Sequence, residues 1–419
     1  MKNSIAEFNF FYTILRPVVD YGTRCHYRSV VIKGRENLPR GAAYILAPCH
    51  QNALMDALLV LLIRRGPTVF LARADIFRKR TLARMLHFLR IGPVYRIRDG
   101  RDQLSRNDEV FKGSREVLEC GVPLCLMAEG THNDRHQLLP LVKGMFRIAC
   151  DTQQELGDKP LYIVPVGIDY DDYEDVYHNA CLSIGRPIAV RPFMAVHETN
   201  EAVALNEMRA ALAKALGGEM HDVKSRGHYD EEYAYCHMKT PEALKELGLR
   251  NNAWGRFQAR KHISERLAQL DGAAKEALYA EGAAFAAEQR RKGIPLWFAS
   301  KGWSPGRSLL SVLFAALLVG AVVPIWKYWM LSNLVVYLPT HGIVGRNIKD
   351  PQFRSSVNFG VRLLLMVLYV LGAFVWFLCA EGLWVALVVL ALGTVSAFVT
   401  PKVFVLLRDA WYGLRQALR

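Results

Sequence analysis

Nothing in this chain pairs its cysteines. The eight are scattered between Cys25 and Cys379 with no Cys-x-x-Cys among them. A disulfide framework and a cysteine-built zinc site therefore have no spacing to rest on, and reduced, mostly buried thiols in a cytoplasm-facing protein are expected. The N-terminus lacks a long apolar run. Residues 1–11 carry Glu7, and the short apolar stretch 8–19 is cut by Arg16 and Pro17. That excludes a secretory signal and suits an amphipathic segment lying on a core or a membrane surface. Acidic residues are outnumbered, leaving a net charge of +14, yet no zinc spacing, RNP-like aromatic strand or basic zipper accompanies the surplus. Nucleic acid is thereby disfavoured, and an anionic membrane surface or a phosphorylated substrate remains. Internal repeats and low-complexity tracts are also lacking. One Gly-x-Ser-x-Gly occurs, at residues 302–306, but it follows no strand. Pro305 also has no N–H to give to an oxyanion hole, so a serine hydrolase has no nucleophile elbow here and the segment reads as a linker.

What is present falls into four stretches: an amphipathic N-terminal segment (1–27), an α/β domain (28–194), a helical cytoplasmic region (195–304) and a C-terminal membrane region (305–419). In the second, short β-branched runs at 29–33, 42–47, 68–72, 94–97, 122–127, 162–166 and 181–184 are interleaved with helical patterns at 54–64, 75–89, 108–120 and 145–155. Apolar strands separated by helices predict a mixed sheet covered on both faces. The third stretch has charged helical patterns at 201–216, 241–247, 254–270 and 273–291, read as a small subdomain on the sheet, with a substrate lid as the sharper alternative. The fourth holds apolar runs at 308–324, 328–338, 363–380 and 383–399. The last two read as spans or a deep hairpin, and the first pair as a re-entrant hairpin around Pro324. Basic residues precede, separate and follow the two pairs, Arg346, Lys349 and Arg354 between them. By the positive-inside rule the catalytic domain, that loop and the C-terminus are expected in the cytoplasm, in an inner membrane if the cell is bacterial.

Four places can carry chemistry. His50 follows the predicted strand 42–47, and Asp56 falls in the first turns of the helix after it. This is the carboxyl end of a strand, where α/β sheets place their sites. A carboxylate accepting the imidazole N–H fixes the tautomer and raises the basicity of the other nitrogen; a capping His beside an exposed Asp is the bland alternative. Arg96 and Arg98 share one face of the predicted strand 94–97 and its end. Two guanidiniums on one face repel unless an anion lies between them, and phosphate matches their fork. Many neighbouring cations in 64–106 read as a solvated basic surface near headgroups. Glu129-Gly130-Thr131 closes another strand: glycine allows close backbone approach, Thr131 offers a hydroxyl and an N–H, and Glu129 can orient an arginine. The apolar strand around Pro165 and Gly167 shapes a wall. The acidic run 169–175 reads as a solvated loop, with a cation site as the sharper alternative.

Taken in order, these four resemble the blocks of the phosphate acyltransferase family that includes lysophosphatidate and glycerol-3-phosphate acyltransferases: His-x4-Asp, Gly-x-x-Phe-Ile-x-Arg, Phe-Pro-Glu-Gly-Thr-Arg-Ser and an apolar strand around proline. This chain departs in its His-x5-Asp spacing, in Tyr95 and Arg96 for Phe-Ile, in Met127-Ala128 for Phe-Pro, and in His132-Asn133 for Arg-Ser.

The resemblance implies a glycerol-phosphate acyltransferase-like α/β domain that moves a fatty acyl group onto a hydroxyl of 1-acyl-sn-glycerol-3-phosphate or glycerol-3-phosphate in phospholipid biosynthesis. His50 and Asp56 would be catalytic, and Arg96, Arg98, Glu129, Gly130 and Thr131 would bind the acceptor phosphate. No metal or other cofactor is implied, since acyl-CoA or acyl-ACP arrives as co-substrate. The expected partners are that thioester, the lipid acceptor and the bilayer. Another lysolipid acceptor and a non-catalytic membrane scaffold are the competing expectations.

Overall fold

A computed structural model describes residues 5–95, 107–173, 176–302 and 351–418, with 306, 309–314, 316–317, 342 and 348 between the last two. The chain divides into two compact units. The first comprises 1–20, 32–169 and 182–220; the second comprises 21–31, 170–181 and 221–419.

The predicted sheet is present. Its strands are β1 (Ser29–Lys33), β2 (Ala43–Pro48), β3 (Val69–Arg73), β4 (Ile91–Val94), β5 (Leu124–Leu126), β6 (Leu161–Tyr170), β7 (Asn179–Ile184) and β8 (Ile188–Ala189). They run in the order β1-β7-β6-β2-β5-β3-β4, with β8 on β6. β2 lies parallel to both β5 and β6, so Ile45 faces Leu124 on one side and Ile163 on the other. β8 is antiparallel to β6, which makes the sheet mixed. All three of those residues are buried, as continuous apolar strands require when both faces are covered.

The cover comes from amphipathic helices. The helix Asn107–Glu119 contributes Val117 and Leu118, and Gly144–Leu156 contributes Met145, Phe146 and Ile148. Glu201–Glu219 adds Leu205, Met208, Leu212 and Leu216 at helical spacing, closing the same core. Each such side chain contributes ~1.5–3 kcal/mol by leaving water. Helix α1 (Phe10–His26) continues through Arg16 and Pro17 rather than being broken by them. Within the first unit Arg16 is buried and donates to the carbonyls of Leu61, which ends helix α2 (Ala53–Leu61), and of Arg64 just past it. Those carbonyls have no partner inside their own helix, so a cation there satisfies them.

The second unit is largely helical. Where the sequence predicts a short helix over 241–247, the chain forms Tyr229–Glu246 with Pro241 inside it. Proline reads locally as a helix start, but burial of Ala234 and Cys236 extends the helix toward its N-terminus; Cys236 packs with Ala259 and Ile263. The third and fourth apolar runs lie in the helices Pro351–Ala380 and Leu383–Leu418, joined where Gly382 adopts φ +90°. Within the first of these, Phe353–Ala380 is long and apolar enough to cross a membrane by length and composition. Leu364, Leu368, Leu371 and Val375 stand exposed along it. Of the expected hairpin over 308–338, residues 309–314 and 316–317 are helical and the rest lies outside the described residues.

Candidate active site

β2 ends at Pro48 and delivers His50 to the carboxyl edge of the sheet, and α2 then turns Asp56 back beneath it. Asp56 is completely buried, and its Oδ2 accepts from His50 Nδ1 at 2.8 Å, from Gln51 N at 2.8 Å and from Asn52 N at 2.8 Å. One carboxylate oxygen therefore closes the turn and holds the imidazole. Asn52 stands at the helix cap position, but its side chain makes no capping bond; Asp56 supplies that acceptor from inside the helix. Ala53, where the turn becomes helix, takes φ +40°, a strained conformation that persists only because its surroundings overdetermine it. Since a carboxylate can only accept, Nδ1 carries the proton and the Nε2 lone pair is left for chemistry.

The expected phosphate residues have different fates. Glu129 is buried, and both its oxygens accept from backbone: Oε1 from His50 N at 2.7 Å, Oε2 from Leu139 N at 2.9 Å. Its geometry is that of a brace for the histidine loop. Gly130 turns at φ +65°, and a Cβ there would meet Val142 Cγ1 at 3.1 Å, so the turn itself requires glycine. Thr131 is exposed at the tip. Arg96 and Arg98 lie outside the described residues; the strand expected at 94–97 is Ile91–Val94, which ends just before them.

Sequence reasoning missed other groups. The His132 ring stands edge-on to His50 at 5.2 Å between centroids, and Asn133 N donates to His50 O at 3.3 Å. The signal was available, because His132 occupies the place of the family's arginine. His136 Nε2 lies 3.2 Å from Asp169 Oδ1, both nearly fully buried. The solvated-loop reading of 169–175 therefore fails at Asp169 and at Asp171, which is buried too, because β6 runs on to Tyr170 and carries them inward. Arg90, grouped with the solvated basic surface, is instead buried and donates to the carbonyls of Ile5 and Glu7.

Cys49 adjoins the histidine, but its surroundings disfavour the nucleophilic form. Its thiol is fully buried, accepts from Ile168 N at 3.1 Å, and has its pKa pushed well up by burial and then by the Glu129 and Asp56 carboxylates. A thiolate is the reactive form, and this site suppresses it.

The stretch that builds this geometry, residues 29–169, matches the family model for acyltransferases. Residues 29–169 belong to the acyltransferase family. The acyltransferase domain thus contains the whole His50–Asp56 turn and the Glu129 brace. No curated protein matches the chain. Among solved structures, the crystal structure of the 1-acyl-sn-glycerophosphate acyltransferase PlsC from Thermotoga maritima is similar at 22% identity and a TM-score of 0.35, covering 49% of this chain and 78% of that one.

Proposed function

We propose that the acyltransferase domain moves a fatty acyl group from a coenzyme A or acyl carrier protein thioester to a hydroxyl of a glycerol-phosphate acceptor. The observation that carries the reading is the buried Asp56 carboxylate on His50 Nδ1 at 2.8 Å, which leaves Nε2 as a base. The acceptor hydroxyl gives its proton to Nε2 as its oxygen attacks the thioester carbonyl. Asp56 stabilises the imidazolium that forms. Collapse of the tetrahedral intermediate expels the thiolate, which takes the proton back from His50. No covalent enzyme intermediate is needed, because the thioester is already activated.

Thr131, with Arg96 and Arg98, would meet the acceptor phosphate, and Glu129 and Gly130 would hold that turn. The acceptor is 1-acyl-sn-glycerol-3-phosphate or glycerol-3-phosphate, and the setting is a membrane with the domain on its cytoplasmic side. The test is acyl transfer by purified protein, offered both acceptors and both donor types. Wild type incubated with labelled donor alone should retain no acyl group, and Cys49→Ala should keep turning over. Labelled acyl on the protein, together with an inactive Cys49→Ala, would replace direct transfer by a cysteine mechanism.

A further inference from the structure

Helix α1 is amphipathic in the reverse sense to a helix in water. Of its residues in the first unit, Tyr12 and Arg16 are buried, while Phe10, Phe11, Ile14 and Val18 stand exposed on one face. Phe10 and Phe11 are 62% and 71% exposed, and Phe8, just before the helix, 79%. Arg16 lies inside because it serves the carbonyls of Leu61 and Arg64 and pairs with Asp20 at 2.8 Å. No such demand within the unit explains the outer face. A surface helix turns its polar side chains to water, and a contiguous exposed apolar stripe marks an interaction surface.

The neighbouring helix α3 (Arg80–Phe88) supplies charge. Its Arg80 and Arg84 are exposed one turn apart, with Arg78 and Lys79 exposed just before it and Ile76 and Met85 exposed beside them. Among the described residues none of these four cations has an ion-pair partner. Of the acids in 5–20 and 73–90, Asp20 and Asp75 are paired with Arg16 and Arg73, which leaves Glu7 alone against Arg78, Lys79, Arg80 and Arg84. Arg90, two residues past α3, fastens the two features together. It donates to the carbonyls of Ile5 and Glu7 at 2.8 and 2.6 Å, and its guanidinium lies 4.8 Å from the centroid of the Tyr12 ring. An apolar stripe beside cations complements a lipid surface with anionic headgroups: the apolar side chains enter the acyl boundary while the cations meet phosphate. A second copy of the chain fits less well, since a two-fold contact through this face sets the same cations near one another.

We propose that α1 and α3 form a docking face of the first unit for an anionic lipid surface, with Phe10, Phe11 and Ile14 in the acyl boundary and Arg78, Lys79, Arg80 and Arg84 on the headgroups. The proposal rests on the membrane setting above but not on the acyl chemistry. The test uses the full chain in nanodiscs of phosphatidylcholine, with or without phosphatidylglycerol. A Phe11→Cys variant carries an environment-sensitive fluorophore, and Cys25→Ala, Cys120→Ala and Cys379→Ala remove the native thiols that are not buried. Doxyl-labelled lipid should quench most of the emission in anionic discs and about half as much in neutral ones, because each cation near a charged surface strengthens association roughly fivefold. Arg78→Gln, Lys79→Gln, Arg80→Gln and Arg84→Gln together should abolish the difference between the two lipids. Arg78→Lys, Arg80→Lys and Arg84→Lys together keep the charge and should keep the difference, which guards against misfolding. Phe10→Ser with Ile14→Ser should lower the quenching in both lipids. Acyl transfer is followed in parallel: an inactive protein with normal quenching supports the docking face and counts against the chemistry, and an active, unquenched one does the reverse. No quenching in anionic discs, quenching indifferent both to lipid charge and to the four glutamine replacements, or self-quenching between labelled copies in place of quenching by lipid overturns the proposal.

Discussion

Replacing His50 by alanine removes the imidazole that the Asp56 carboxylate orients, so kcat for acyl transfer should fall ~10²–10⁴-fold. Asp56→Asn retains the shape but cannot stabilise an imidazolium, and it should lose kcat with little change in KM. The double variant should be scarcely worse than His50→Ala, because the two act as one unit. An active His50→Ala protein would sink the assignment. Glu129 gives a finer test. Its two oxygens each receive a backbone N–H, and Glu129→Gln would set an NH₂ against one of those donors. Stability should drop by ~1–3 kcal/mol in urea unfolding, with the kinetic loss in kcat. A loss confined to acceptor KM would make Glu129 a phosphate ligand instead. Arg98→Ala should do the opposite and chiefly raise acceptor KM, since a phosphate contact acts in ground and transition states alike; an unchanged KM in folded protein removes Arg98 from the site.

At the scale of the element, the helices Pro351–Ala380 and Leu383–Leu418 form a hairpin whose partners are visible: Tyr369, Val370, Ala373, Val389 and Leu392 pack around the buried Val403. The stripe Leu364, Leu368, Leu371, Val375 stands exposed on the other side, and the proposed membrane setting would place it against lipid. With Arg346, Lys349 and Arg354 before the pair and Arg408, Arg415 and Arg419 after it, both ends should lie on the cytoplasmic side. Single cysteines placed in 340–350 and near residue 415, in a background lacking the native ones, should resist an impermeant thiol reagent added to intact cells. Labelling of either position from outside contradicts this topology.

For the whole molecule, the buried charges set a pH dependence. Burial lowers the Lys301 pKa to about 8, against the opposing pull of Asp409. The folded state therefore holds fewer protons than the unfolded chain between about pH 8 and the ordinary lysine value near 10.4. Stability from this group rises with pH across that window and is lost as pH falls through 8. The effect is on the order of a few kcal/mol, set against the alkaline loss of other groups. Lys301→Met should flatten the slope of urea stability between pH 8 and 10 relative to wild type; an identical slope would show that Lys301 is not the titrating group. Burial also presses the Asp171 carboxyl upward, but Arg256, Arg260 and Lys301, helped by Asn179, outweigh it and hold that group below the usual carboxylate range. Asp171 should accordingly stay ionised in the folded protein under mildly acid conditions.

What the amino-acid order determined by itself was local. Apolar runs marked six of the eight strands in place, and a seventh three residues late, at 94–97 for Ile91–Val94, because a strand buried on both faces must be apolar wherever it occurs. His50 and Asp56 were legible as a pair because they are six positions apart across one strand-to-helix turn. β8 was not legible: two residues carry no period. The tertiary structure decided everything that joins distant positions. Glu129 braces a histidine 79 residues away, and Arg90 turns back to carbonyls more than 80 positions earlier. Asp171 leaves an apparently solvated acidic run to meet two arginines of a later helix. In each case a charged side chain is buried, and a buried charge is tolerable only beside a partner. Sequence shows the charge, but only the folded chain brings the partner to it.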